Sequence, residues 1–183
     1  MAAAPLSYKR LTRQDAPELA SLRKLYQEAF PLRERRTFGQ VERLLEHPGM
    51  RCIAVMQGTL FAGFYISWRL GQFCFVEHFA IVSHLRGQGI GRQVVQRMLQ
   101  DEALGVVLEV ELPYSQASRR RILFYQSLGF SPIAGLTYHQ PPYRSGEAPL
   151  PLCLMSSFPL TDPAEQDRAV RAIHEQVYAR FMV

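Results

Sequence analysis

The residues best suited to chemistry are a glycine-rich run, Leu85-Arg86-Gly87-Gln88-Gly89-Ile90-Gly91-Arg92, and three glutamates, Glu77, Glu109 and Glu111, set inside apolar stretches. Glycines at alternate positions can take left-handed backbone conformations and admit a close neighbour. Where such a run opens a helix, the helix's first amides lack intrahelical partners and attract anions. Flanking arginines add fork-shaped donors suited to phosphate. The run therefore reads as a cradle for a diphosphate. An ionised carboxylate in an apolar strand is costly, so each glutamate needs a reason to be there, either proton transfer or a cationic partner.

Two familiar phosphate loops fit the run poorly. A Walker loop needs Gly-Lys-Ser/Thr, whereas Gly91 is followed by Arg92-Gln93. The dinucleotide fingerprint GxGxxG is closer, with Gly87, Gly89 and then Glu109 about 20 residues on. Its third glycine is missing, the place being taken by Arg92 or Val94 according to the register.

The elements that must position these residues alternate along the chain. Tyr8 to Leu11 reads as a first strand. Asp15 as N-cap, Pro17 just inside, and Leu19, Leu22, Leu25, Tyr26 and Phe30 at helical spacing predict a helix that stops near Pro31. A second helix carries Val41, Leu44 and Leu45 and ends near His47-Pro48-Gly49. Arg51 to Met56, Leu60 to Leu70 and Gln72 to Val82 read as an antiparallel meander, with Gln57-Gly58 and Leu70-Gly71 as tight turns. After the glycine run, Val94, Val95, Met98 and Leu99 form one apolar stripe, and Val106 to Leu112 follows as a buried strand. Ser118 to Leu128 is predicted helical with Gly129 as its C-cap. Phe130 to Tyr138 and Leu150 to Ser156 are the last expected strands. An amphipathic helix from about Pro163 to residue 182 turns Val170, Ile173, Val177 and Phe181 inward.

At 183 residues and 48% hydrophobic content, one domain spanning 1–183 is expected, with a core at about 5–158. Cys52, Cys74 and Cys153 lie in apolar runs; an odd number without CxxC or CxxH spacing argues against a disulfide framework and a zinc site, so no metal is expected. No signal peptide or long apolar span is evident, which predicts a cytoplasmic chain without a membrane partner. The formal charge is +5 and only Lys9 and Lys24 are lysines. The clusters Arg33-Arg35-Arg36 and Arg119-Arg120-Arg121 are short and lack interleaved aromatics, which disfavours nucleic acid.

One pattern fits where the phosphate loops do not. Arg86, Gly89 and Gly91 meet Arg-x-x-Gly-x-Gly after Phe79-Ala80-Ile81, and Phe124-Tyr125-Gln126-Ser127-Leu128-Gly129-Phe130 follows at a distance. On these motifs, in this order, the chain resembles the GNAT acyl-CoA N-acetyltransferases, in particular bacterial members. The resemblance implies an α+β fold with a central mixed, mostly antiparallel sheet flanked by helices, here with an extra C-terminal helix. It implies acetyl-CoA as co-substrate, with Arg86, Gly87, Gln88, Gly89, Ile90, Gly91 and Arg92 around its diphosphate, and Phe79, Ala80 and Ile81 along the pantetheine arm. Ser118 stands where many members carry an asparagine that contacts that arm.

The implied reaction moves an acetyl group to a primary amine of a small molecule, peptide or protein by direct attack on the thioester. Tyr125 occupies the family's tyrosine position, which assigns it as the acid for the thiolate; packing under the helix is the other role such a ring can fill. Glu77 is the first expected base, because it precedes Phe79 on the same strand, and Glu109 the second. Alternation puts Glu109 and Glu111 on one face, so they could form a carboxylate pair, or one could satisfy an arginine. The acceptor is expected near residues 30–38 and at a rim of Tyr138, His139, Tyr143 and Arg144. A CoA-binding or partner-binding module without catalysis is the alternative, and monomer and homodimer both remain open.

Overall fold

The computed structural model describes residues 4–179. Its contacts divide the chain into two interleaved units: residues up to Trp68 with Val76–Val94, and Arg69–Phe75 with the residues from Val95 onward.

The first unit is built on β1 (Leu6–Arg10), α1 (Ala16–Ala29), α2 (Phe38–Leu44), β2 (Met50–Gln57), β3 (Leu60–Arg69) and β4 (Cys74–Ile81), in the sheet order β1-β2-β3-β4. β1 runs antiparallel to β2 with Leu6 opposite Gln57, and β2 antiparallel to β3 with Met50 opposite Trp68. The predicted turn at Gln57-Gly58 is present, and Gly58 supplies a left-handed φ of 60° that a side chain would resist. α1 buries Leu19, Leu22, Leu25 and Tyr26 and ends before Pro31, as its spacing predicts. Asp15 sits at its N-cap position, but its carboxylate accepts from the Thr12 amide and hydroxyl and pairs with Lys9 rather than capping the helix. α2 opens on a reciprocal capping box between Thr37 and Gln40.

Gly63, beside the β2–β3 bulge at Val55/Met56, has no room for a side chain. A Cβ there would collide with the Ala80 carbonyl oxygen and lie 2.8 Å from Ile81 Cδ1. Gly63→Ala is expected to cost roughly 1–3 kcal/mol by overpacking. The result would be an earlier urea midpoint at an unchanged slope; an unmoved midpoint would contradict this close approach of β3 to β4.

The second unit holds β5 (Val106–Glu111), α4 (Gln116–Gln126), β6 (Ser131–Pro132), β7 (Tyr138–Gln140), β8 (Leu150–Ser156) and α5 (Pro163–Ile173), which continues as a wide helical turn, His174–Tyr178. β8 pairs antiparallel with β5, with Leu154 opposite Glu109, and also with β6 and β7. The expected strand Phe130 to Tyr138 is thus two short pieces. Pro132 has no amide to donate, and Gly135, at φ 75°, turns the chain between them. Gln166 from α5 holds this turn by donating to the carbonyls of Ala134 and Leu160. α5 starts at Pro163 as predicted, with Asp162 accepting from the Ala164 amide. It buries Ile173, and Val177 follows in the wide turn, while Val170 is half-buried. Phe181 and the expected end of the helix at 182 lie outside the described residues.

Candidate active site

The helix α3 (Ile90–Asp101) follows β4 after a short turn at Ser83–Leu85. Between them, Gly87 and Gly89 adopt left-handed φ angles of 77° and 80°, and a Cβ on either would meet nothing within 4 Å. The loop is therefore bent by glycine chemistry and open on that side. Gly91 differs from the expectation for the run, because it lies within the first turn of α3 in ordinary helical backbone. The first helical bond after the loop runs from the Gln93 amide to the Gly89 carbonyl at 3.1 Å, which leaves the amides of Ile90 and Gly91 outside the ladder. Arg86 reaches back, its Nε donating to the Ile81 carbonyl at 2.9 Å, and Gln88 donates to the His84 carbonyl at 2.9 Å. The first bond holds the loop against the end of β4, and the second braces the loop on the Ser83–Leu85 turn. On that strand Ala80 and Ile81 are buried and Phe79 is half-buried.

Glu77, the first expected base, lies deep within the first unit. Arg36 Nε donates to its Oε1 at 2.9 Å, and Trp68 Nε1 donates to its Oε2 at 2.6 Å. The Arg36 and Glu77 side chains are only 2% and 1% exposed. The Arg36 guanidinium also lies 5.9 Å from the Trp68 ring centre, and its backbone amide donates to the Tyr26 hydroxyl. Next in the strand, His78 packs edge-to-face with Tyr26 and Phe30 and donates from Nε2 to the Glu34 carbonyl. Burial holds its imidazole below the ordinary histidine range, with Glu77 pulling the other way. Burial, reinforced by the Glu77 charge, pushes the Cys52 thiol up to about 12. Arg36 entered the sequence reading only as part of a short basic cluster and was not paired with Glu77. The available signal was Glu77 itself, since a carboxylate in an apolar strand demands a partner.

In the second unit the segment Phe124–Phe130 forms a Schellman cap on α4. The Phe130 amide donates to the Tyr125 carbonyl and the Gly129 amide to the Gln126 carbonyl, with Gly129 at φ 90°. The apolar contact that accompanies such caps is the Tyr125–Phe130 ring pair, 5.7 Å between centres. Tyr125 is buried, and burial pushes its phenol up to about 12, with Arg121 opposing. The phenol therefore keeps its proton throughout the neutral range. Ser118 is committed to the start of the same helix: its hydroxyl accepts from the Ser115 amide and its amide donates to the Ser115 hydroxyl.

Glu109 and Glu111 share a face of β5 but have different partners. Glu111 pairs with Arg121, the arginine role anticipated for one of them. Glu109 accepts from the Tyr138 hydroxyl, and the Tyr178 hydroxyl lies 3.0 and 2.9 Å from its two oxygens. Of the expected acceptor residues, Tyr138 thus points to Glu109, and Tyr143 is buried against Tyr178 with 5.3 Å between ring centres. Arg144 is paired with Glu147, and His139 is exposed, its carbonyl accepting from His174. Tyr178 was missed because the helical pattern called attention to apolar neighbours such as Val177. Among the described residues no cluster of histidine, cysteine, aspartate or glutamate could hold a metal ion, and no helix is long and apolar enough to cross a membrane.

The family model for the acetyltransferase (GNAT) domain matches residues 48–132. This stretch runs from before β2 to β6 and includes the glycine loop, Glu77, Glu109 and Tyr125. A protein from Bacteroides thetaiotaomicron assigned to the GNAT acetyltransferases superposes with a TM-score of 0.88 at 29% identity, covering 94% of this chain and 98% of that one. Residues 48–132 thus match an acetyltransferase (GNAT) domain, and the chain has the fold expected from that resemblance, a mixed, mostly antiparallel sheet flanked by helices with α5 added. The fold also resembles the ribosomal-protein-S18-alanine N-acetyltransferase of Escherichia coli, with a TM-score of 0.59 at 18% identity over 83% of this chain and 92% of that one. Arabidopsis thaliana NAA60, solved in complex with acetyl-CoA, has a TM-score of 0.61 at 12% identity over 83% and 97% of the two chains. No curated protein matches in sequence.

Proposed function

We propose that the protein transfers the acetyl group of acetyl-CoA to a primary amine of a small molecule, peptide or protein. The observation that carries this reading is the loop from Arg86 to Arg92, in which left-handed Gly87 and Gly89 lead from β4 into the open amide end of α3 in a chain with a GNAT domain. Backbone donors, the helix dipole and the arginines Arg86 and Arg92 all favour a diphosphate at that loop. Phe79, Ala80 and Ile81 are assigned to the pantetheine arm. Ser118 contributes through the cap of α4 rather than through a free hydroxyl.

In the proposed reaction the amine nitrogen attacks the thioester carbonyl carbon. The new C–N bond forms, an oxyanion develops, and collapse breaks the C–S bond. Tyr125, protonated at neutral pH, gives its proton to the departing thiolate. Of the two base candidates Glu109 is the better suited. Glu77 has both oxygens held by Arg36 and Trp68 in a buried cluster, where its charge offsets that of Arg36. Glu109 is half-buried and accepts from the Tyr138 and Tyr178 hydroxyls, an arrangement suited to orienting a carboxylate that takes the amine proton.

Acetyl-CoA should raise the melting temperature, by the equivalent of about 2.7 kcal/mol at a hundredfold excess over Kd. Free thiol should then appear when amines are supplied. A shift without thiol release from any amine or peptide would favour a binding module, and no shift would remove acetyl-CoA as the ligand.

A further inference from the structure

The wide helical turn His174–Tyr178 places the Tyr178 phenol on the Glu109 carboxylate of β5. Val177 and the Tyr178 ring are already buried, yet the Tyr178 hydroxyl is turned to within 3.0 Å of both Glu109 oxygens. Tyr138 donates to the same carboxylate from β7. One carboxylate thus gathers phenols from two separate elements, and a third ring, Tyr143, packs at a tilt against Tyr178.

We infer that Tyr178 is a positioning residue for catalysis, holding Glu109 in its ionised form and in one orientation so that it can accept the proton of the attacking amine. This deepens the proposed function and depends on Glu109 being the base. The groups around the carboxylate are consistent with control by phenols. Glu111, on the same face, is neutralised by Arg121 from α4. The β8 residue opposite Glu109 is Leu154, which is apolar. His174 lies beside Tyr138, and burial holds it below the ordinary histidine value, so it brings no positive charge at neutral pH. Hydrogen bonds donated to a carboxylate favour its charged form. Losing one such donor should therefore move the titration of Glu109 upward.

Tyr178→Phe removes only the hydroxyl and keeps the ring against Tyr143. Two readouts apply to it. The Glu109 side chain, followed by carbon NMR and assigned with Glu109→Gln, should titrate about one pH unit higher in the variant. The acid limb of kcat/KM should move by the same amount, with activity regained at higher pH, whereas Glu109→Gln should lose roughly 100-fold or more at every pH. An unmoved Glu109 titration overturns the inference whether or not the wild type transfers acetyl. So does a moved titration with an unmoved kinetic profile, or full activity in Glu109→Gln. Failure of the wild type to bind acetyl-CoA or release thiol would instead overturn the proposed function, and the NMR comparison would still decide what Tyr178 does to Glu109.

Discussion

Arg36→Ala is expected to lower the stability of the protein by about 3–5 kcal/mol, because it leaves the Glu77 carboxylate buried without its cation. The side chains of Arg36 and Glu77 are 2% and 1% exposed, so water cannot replace the lost guanidinium without opening the core. The change also removes a cation from the face of Trp68 and deletes a large fully buried side chain. For a chain of this length, each kcal/mol corresponds to a shift of about 2–4 °C in Tm. The expected fall is therefore in the range of about 6–20 °C. Replacing both partners, as Arg36→Met with Glu77→Leu, should cost much less than the single change, since no charge is then stranded. A double variant as unstable as Arg36→Ala would show that shape, not charge pairing, governs this cluster. A fall of less than about 2 °C in Arg36→Ala would show that the pair is dispensable.

Tyr125→Phe should reduce kcat by about 100-fold while leaving acetyl-CoA affinity little changed, as expected when a general acid loses its proton. The substitution is conservative for the fold. The phenylalanine ring retains the contacts with Phe124 and Phe130, and the Schellman cap uses only the backbone of residue 125. Because burial pushes the phenol up to about 12, the wild-type profile should show no alkaline loss from this group across the neutral range. Steady-state kinetics and isothermal titration with acetyl-CoA separate the two parameters. Unchanged turnover would leave Tyr125 only its packing role, and a parallel loss of affinity and turnover would place its hydroxyl in donor binding.

The legible parts of the fold share a physical cause: they are decided by residues close together in the chain. Leu19, Leu22, Leu25 and Tyr26 recur at helical spacing and form the buried face of α1. Gly58 marks its hairpin, and Gly87 and Gly89 mark the loop, because left-handed backbone strongly favours glycine at each. The strand predicted over Phe130 to Tyr138 failed for a local reason of the same kind, since Pro132 and Gly135 disfavour pairing within an otherwise apolar run.

The amino-acid sequence by itself pointed to the GNAT resemblance, the glycine loop and the list of groups able to exchange a proton, because these depend on residue type and short-range spacing. Tertiary structure alone decided how those groups are occupied. Arg36 and Glu77 stand 41 residues apart, and Tyr178 and Glu109 stand 69 apart. Nothing in local periodicity links either pair. The cost of burying a carboxylate told that Glu77 and Glu109 must each have partners. Only the packing of distant elements could make one partner a guanidinium, which binds Glu77 into the core, and the other a pair of phenols, which hold the Glu109 carboxylate.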